Sequence, residues 1–101
     1  MDLVKYNTDR GFRRISFKDY YGNYCSFQES SLADVEAIWF GIDEALPKQF
    51  VKGEGWKDYT DIPDNVHINT RMHLTGDQAK VLGEILIGFA ETGELKIRRD
   101  K

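Results

Sequence analysis

The stretch that decides the fold is LTGDQAKVLGEILIGFAETGEL, residues 74–95, which predicts one amphipathic helix with both ends marked. Thr75 followed by Gln78 matches a capping box, in which each side chain pairs with a backbone N–H of the first turn. Gly93 supplies the left-handed residue that ends many helices. We therefore predict a helix over residues 75–92. Its apolar residues recur at the spacing of one helical face: Ala79, Leu82, Ile85, Leu86, Phe89 and Ala90.

A lone helix of this length is marginally stable in water, so its apolar stripe is expected to cover another element. We predict that it covers one face of a small antiparallel sheet formed by the preceding residues. The expected fold class is α+β, with a four-stranded, mainly antiparallel sheet and one C-terminal amphipathic helix packed on one face. At 101 residues the chain is expected to form a single domain, residues 1–101.

The first part of the sheet is predicted as three strands in residues 12–42. Asp19 and Gly22 fit the first and last positions of a type I turn with a glycine bulge, which predicts a hairpin. The register that follows sorts apolar from polar side chains, and a slip of one residue would destroy the sorting. It pairs Phe17 with Cys25 and Ile15 with Phe27 on one face, and Arg14 with Gln28, Ser16 with Ser26 and Lys18 with Tyr24 on the other.

The remaining segments are assigned from alternation and turn residues. The run EAIWFGI, residues 36–42, is the third strand, and residues 66–74 alternate as a fourth strand that leads into the helix. Residues 43–65 hold both prolines and are predicted as a long loop, of the kind that is often functional or partly ordered. Residues 1–11 are predicted as a short arm. The tail, residues 96–101, is expected to add a short edge strand or to fray.

Composition excludes several classes of protein. There is no run of about 18 apolar residues that would span a membrane, and the N-terminus lacks the apolar core of a signal peptide. A cytosolic setting is the default expectation, and the single Cys25 agrees with a reducing compartment. A net charge of −3 argues against a general polyanion binder, so we expect no binding of double-stranded DNA.

Five segments occur in an order that resembles a known group of proteins: FKDYYGNYCSFQESSLA, IWFGID, GEGW, RMHLTGDQ and FAETGEL. The chain resembles, over about residues 14–95, a family of small accessory proteins encoded by tailed phages and prophages. The resemblance implies a phage origin and a place in the cytoplasm of the infected or lysogenic bacterial host. Such proteins often counter host defences, either by sequestering a signalling nucleotide or by blocking an effector such as a CRISPR or nuclease component.

The sheet face opposite the helix is the candidate ligand surface. Guanidinium groups suit phosphate, and aromatic rings supply stacking. The side chains expected to bind a ligand there are Arg14, Lys18, Tyr24, Trp39, Arg71 and His73. The same pattern also fits a solvated face of an antiparallel sheet, and an aromatic, basic sheet can read single-stranded RNA.

No constellation in the sequence indicates catalysis, a metal or a cofactor. The strand register directs Cys25 into apolar surroundings, where a cysteine is ordinarily inert. Ser30 and Ser31 have no visible histidine partner. His67 and His73 would lie about 20 Å apart on one straight strand, too far to hold the same ion. We expect a protein that acts by binding and is not an enzyme.

Two modes of binding follow from these features. In the first, a homo-oligomer sequesters a small anionic nucleotide. Binding of RNA on the same surface is a further alternative. In the second, the protein docks on a host defence protein through the aromatic residues of the loop, Phe50, Trp56 and Tyr59. The helix also has apolar or small residues outside the stripe, Gly83, Ile87 and Gly88. They fit either a contact between subunits or positions that the helix simply tolerates, and the sequence favours neither.

Overall fold

The structure is a computed structural model that describes residues 1–97, and its largest element is a five-stranded antiparallel sheet. In chain order the elements are β1 (Val4–Asn7), β2 (Arg13–Lys18), β3 (Tyr24–Glu29), β4 (Ala37–Ile42), β5 (Lys48–Val51), β6 (Gly55–Asp58), β7 (Met72–Thr75) and α1 (Gly76–Thr92). The large sheet has the order β1-β2-β3-β4-β7, and β5 pairs with β6 in a second, two-stranded sheet. The α+β class is confirmed, with five strands in the main sheet instead of four.

The β2–β3 hairpin has the predicted register, with Ile15 opposite Phe27 and Phe17 opposite Cys25. Its turn is fixed by Asp19, whose carboxylate accepts hydrogen bonds from the backbone N–H of Tyr21 and from both the backbone and side-chain amides of Asn23. These bonds favour the charged form and hold the pKa of Asp19 below its ordinary value. Gly22 takes the positive φ that the bulge requires, +83°.

The predicted N-terminal arm, residues 1–11, contains an edge strand, so that prediction was wrong. β1 pairs with β2, placing Val4 opposite Ser16 and Tyr6 opposite Arg14. Val4 and Tyr6 both remain exposed. An edge strand that buries no side chain carries little of the alternation by which strands are recognised in a sequence.

Residues 43–65, predicted as a loop, contain the β5–β6 hairpin. Phe50 stands opposite Trp56, and Lys48 forms an ion pair with Asp58. Within residues 1–97, neither strand contacts the five-stranded sheet or the helix. The hairpin is therefore an arm that projects from the main sheet.

The predicted fourth strand, residues 66–74, was too long, because only Met72–Thr75 pairs with β4. In the segment before Met72, side chains form hydrogen bonds with backbone groups in place of a strand ladder. The Thr70 hydroxyl donates to the carbonyl of Ile42 at 2.9 Å, and the Asn69 side chain accepts from the N–H of Arg71 at 3.2 Å. Such local bonds compete with the ladder of a sheet and end the strand.

The helix itself is confirmed, with the two ends that the sequence marks. Thr75 and Gln78 form both hydrogen bonds of the capping box, and Gly93 closes the helix with φ +73°. Within residues 1–97, no helix has the length and apolarity needed to cross a bilayer.

The predicted packing of this helix on the sheet was wrong. Among residues 1–97, α1 contacts only β4 and β7, and the side chains of Leu86 and Phe89 are 59% and 52% exposed. Thr75 is both the last residue of β7 and the N-cap of α1. Because no residue is left for a turn, the helix leaves the sheet instead of folding back over it.

The predicted behaviour of the tail, residues 96–101, is tested only in part. Residues 96 and 97 have no regular structure, and the rest of the tail lies outside the described residues.

Candidate functional site

The polar face of the main sheet carries a closed ring of polar side chains, which we call the arginine site: Arg14, Ser26, Gln28, Asp43 and Arg71. Arg71 Nη1 donates to Ser26 Oγ at 3.3 Å and to Gln28 Oε1 at 3.0 Å. Arg14 Nη1 donates to the same Gln28 oxygen at 2.8 Å. The ring closes because Ser26 donates to Asp43, and Asp43 forms an ion pair with Arg14 Nη2 at 3.1 Å.

Strand alternation explains why these groups meet. Arg14 on β2 pairs with Gln28 on β3, and Ser26 lies two residues before Gln28 on the same face. Asp43 directly follows β4 and is held there by its N–H, which donates to the carbonyl of Tyr24 at 2.9 Å.

The charges of the arginine site do not balance. The site holds two guanidinium groups and one carboxylate, Asp43, which pairs with Arg14 and leaves a net charge of about +1. Among residues 1–97, no carboxylate lies within 4.0 Å of a nitrogen of Arg71. The Nε atoms of Arg14 and Arg71 are buried and find no hydrogen-bond partner in this part of the chain. A partly buried cation without a counter-ion is costly, and an anionic ligand relieves that cost.

An aromatic surface adjoins Arg71. The rings of Trp39 and His73, which are opposite each other on β4 and β7, stack with centroids 4.0 Å apart and planes 7° from parallel. The Arg71 guanidinium carbon lies 5.8 Å from the centre of the Trp39 ring, in range of a cation–π contact. His73 Nε2 is 2.9 Å from Ser30 Oγ, which fixes the imidazole ring.

Gly41 makes room for Arg71. It stands opposite Ser26 with φ +139°, and a Cβ atom added there would lie 3.4 Å from the Cα atom of Arg71. A side chain at this position would be in van der Waals contact with the backbone that carries Arg71 and would be strained by the positive φ. Sequence reasoning missed the role of Gly41, which depends on the irregular segment before β7, and that of Asp43, which was assigned to the loop after the third strand.

The six side chains predicted to bind a ligand fall into two groups. Arg14, Trp39, Arg71 and His73 lie together. Lys18 and Tyr24 pair with each other, with the Lys18 ammonium 5.1 Å from the Tyr24 ring centre. They lie four residues along the strands, about 13 Å from the Arg14–Gln28 pair. There they border a separate shallow groove of about 630 Å³.

The chain was compared with family models, with curated proteins and with solved structures. None of them matches it. What the site can bind must therefore be inferred from its own side chains.

The arginine site offers donors for an anion beside a flat aromatic surface. Guanidinium groups form paired, charge-assisted hydrogen bonds with phosphate oxygens, and an indole face stacks on a base. Cys25 lies on the opposite face of the sheet, where burial raises the pKa of its thiol and disfavours the nucleophilic thiolate. In residues 1–97, no three His, Cys, Asp or Glu side chains are grouped so as to hold a metal ion.

The aromatic residues predicted to contact a partner lie on or beside the β5–β6 hairpin. Phe50 and Trp56 form an edge-on pair with centroids 5.5 Å apart, and they are 61% and 71% exposed. Tyr59 lies at the base of the hairpin, where its N–H donates to the carbonyl of Pro47 and its side chain borders a groove of about 420 Å³.

Proposed function

We propose that the protein is a non-enzymatic binding protein that sequesters a small anionic nucleotide at the arginine site. The strongest support is Arg71, a half-buried guanidinium with no carboxylate within 4.0 Å among residues 1–97 and with an unpartnered Nε. A phosphate group supplies the missing negative charge. The stacked rings of Trp39 and His73 lie beside it and present a surface for the base.

The ring of hydrogen bonds supports tight binding because it positions the arginines in advance. Arg14 is held by Asp43 and Gln28, and Arg71 by Ser26 and Gln28. Side chains that are already ordered lose less entropy when a ligand arrives. A ligand with one or two phosphates and an aromatic base fits this arrangement better than a long polyanion. RNA binding would require a row of stacking platforms along a basic groove, whereas among residues 1–97 this face has one stacked pair, Trp39 and His73.

The biological role we propose is counter-defence in the cytoplasm of an infected or lysogenic bacterium. It rests on the resemblance to phage-encoded accessory proteins and on the chemistry of the arginine site. A defence system that signals through a diffusible nucleotide fails when that nucleotide is bound before it reaches its effector. A protein with this task needs affinity for the nucleotide and no catalytic group.

Calorimetric titration with cyclic mononucleotides and dinucleotides tests the proposal. Inorganic phosphate and adenosine serve as probes for charge alone and for stacking alone. We expect at least one nucleotide to bind more tightly than either fragment. Arg71→Ala should weaken that binding about 10-fold or more, on the scale of one charge-assisted hydrogen bond. Arg10→Ala, which removes an equal charge from the β1–β2 turn, should leave binding unchanged.

A second readout uses the tryptophans. In a Trp56→Phe background, Trp39 is the remaining tryptophan of the chain, so its fluorescence should change on titration with the nucleotide. Sequestration is wrong if no nucleotide in the panel binds wild-type protein, or if Arg71→Ala and Arg10→Ala bind equally well.

A second candidate function is inhibition of a host defence protein by the β5–β6 hairpin. The observation that favours it is the pair of exposed rings, Phe50 and Trp56, on an arm that contacts neither the main sheet nor the helix within residues 1–97. Exposed aromatic side chains are frequent centres of binding energy. The double variant Phe50→Ala/Trp56→Ala should then abolish protection of phage in infected cells while leaving nucleotide titrations unchanged. Protection that survives this change excludes the hairpin as the inhibitory surface.

A further inference from the structure

The face of the main sheet opposite the arginine site is apolar over β2–β4, apart from the Arg13–Glu29 ion pair at one end, and it is only partly covered. We call it the apolar face, and its residues are Ile15, Phe17, Cys25, Phe27, Ile38, Phe40 and Ile42. Phe27 and Phe40 stack with centroids 4.5 Å apart, and Phe17 lies 5.4 Å from Phe27. Of these seven residues only Cys25 is fully buried. A cluster of three phenylalanines on an open sheet face is unusual for a stable monomer.

The accessible surface area and the radius of gyration both exceed the values expected for a compact protein of this size. The exposed surface is 8631 Å², whereas a compact monomer of 11.7 kDa is expected to expose about 5,900 Å². The radius of gyration is 17.0 Å, against about 13 Å for a compact domain of this length. The surplus of about 2,700 Å² far exceeds the roughly 800 Å² that each partner contributes to an ordinary interface.

The helix supplies a second uncovered surface. Leu86 and Phe89 are exposed on the apolar stripe, and Ile87 is 53% exposed beside it. At 3.6 residues per turn, the charged side chains of α1 occupy one sector only about 60° wide: Asp77, Lys80, Glu84 and Glu91. A helix that is uncharged over most of its circumference is suited to burial on more than one side.

The helix does not cover the apolar face of its own sheet, since within residues 1–97 it contacts only β4 and β7. Thr75 ends β7 and caps α1, and the N–H of Gly76 donates to the carbonyl of Glu36 at 3.1 Å, which fixes the direction in which the helix leaves. A second copy of the chain is free of this restriction. The 17-residue helix is about 26 Å long, enough to cross a five-stranded sheet about 19 Å wide.

We propose that two copies of the chain exchange helices, with the apolar stripe of α1 in one protomer packed on the apolar face of its partner. A twofold axis makes the contact reciprocal, so one arrangement covers both helices and both sheets. The chain itself provides the two complementary surfaces, which favours a second copy over a foreign protein as the occupant. Because the arginine site lies on the other face of the sheet, the exchange is independent of the proposed nucleotide binding.

Light scattering at micromolar concentration gives the first test. Wild-type protein should have a mass of at least twice 11.7 kDa. Phe89→Asp places a charge in the proposed contact and should raise the dissociation constant of the dimer about 100-fold or more. Lys80→Asp places the same acid in the charged sector and should leave the mass unchanged. A wild-type mass near 11.7 kDa overturns the proposal, as does a dimer that tolerates Phe89→Asp.

The deciding measurement uses unaltered protein, since Phe89→Asp can also unfold the chain. Isotopically labelled and unlabelled protein are unfolded together, refolded and studied by isotope-filtered NMR. We expect intermolecular contacts between the methyl groups of Leu82 or Leu86 and the aromatic protons of Phe27 or Phe40. If these contacts arise only within one chain, the helix covers its own sheet and the exchange is wrong. If the helix signals show neither kind of contact, the helix covers no apolar face and the exchange is also wrong.

Discussion

Arg14 and Arg71 donate to the same oxygen, Oε1 of Gln28, although 57 positions separate them in the chain. Two like charges are brought together by a neutral amide, and the one carboxylate of the site, Asp43, pairs only with Arg14. The arrangement costs free energy in the absence of an anion. Unpaired positive charge held in a fixed geometry is a common feature of functional sites.

Gly41→Ala should disturb this geometry without touching a polar group. The added Cβ would lie 3.4 Å from the Cα atom of Arg71, at a φ of +139° that side chains rarely adopt. We expect a loss of about 1–3 kcal/mol in the free energy of unfolding, measured in urea. Nucleotide binding should weaken as well. Gly76→Ala is the control because its Cβ meets nothing within 4 Å, and a similar loss there would contradict the steric explanation.

The sequence predicted the parts of the fold that short-range chemistry determines. The β2–β3 register follows from one turn and from the sorting of its side chains, and the ends of the helix follow from Thr75 and Gly93. Both signals lie within a few residues of what they specify. The same locality explains why four of the predicted ligand residues lie together, since strand alternation alone places Trp39 and Arg14 on one face.

The errors concern how elements combine. The amphipathic stripe of α1 shows that the helix must be covered, but it does not identify the covering surface. Whether the helix turns back depends on the length of the connection after β7, and that connection has no residues because Thr75 serves both elements. Gly41 was missed for a similar reason, since its role depends on the path of the segment before β7.

Glu29 should contribute a pH-dependent part of the stability. Its carboxylate accepts hydrogen bonds from the backbone and the guanidinium of Arg13, which lower the pKa of Glu29 from 4.5 to about 2. A carboxylate with a lowered pKa stabilises the folded state above its unfolded value and loses that effect as the pH falls through the folded value. Glu29→Gln should therefore lower the melting temperature above pH 5, with a difference that shrinks below about 4.5 and vanishes near 2.

The matched control for this titration is Glu54→Gln in the turn of the second hairpin. Glu54 forms no ion pair within residues 1–97, so its melting profile should follow that of wild type. If the difference between Glu29→Gln and wild type persists unchanged at pH 2, the Arg13 contact is not its source.

Thr75→Ala should destabilise the point at which strand becomes helix. The Thr75 hydroxyl accepts the N–H of Gln78 at 3.2 Å, and the Gln78 side chain accepts the N–H of Thr75 at 3.0 Å. Loss of an N-cap side chain costs about 1 kcal/mol in the free energy of unfolding. The helicity of Thr75→Ala, measured by circular dichroism, should therefore fall at lower concentrations of urea than that of wild type. Thr60→Ala, at an exposed position with no side-chain hydrogen bond in the described part of the chain, should change stability by less than about 0.5 kcal/mol.

Asp43→Asn should strengthen nucleotide binding while it weakens the fold. The carboxylate cancels one of the two guanidinium charges, and an asparagine keeps its shape and still accepts from Ser26. Removal of the negative charge should tighten binding of a phosphate-bearing ligand by roughly 3- to 10-fold at low salt and by less at high salt. Arg14 loses its ion pair, so we expect a loss of about 1 kcal/mol in stability.

The opposite signs of these two effects separate a binding role from a structural one. Asp61→Asn, which removes an equal charge from an exposed loop position, controls for net charge and should change neither quantity appreciably. Titrations and urea melts of the three proteins are compared at two salt concentrations. If Asp43→Asn weakens nucleotide binding, as Arg71→Ala is expected to do, then affinity depends more on the intact hydrogen-bonded ring than on the excess of positive charge. The electrostatic account of the arginine site would in that case be wrong.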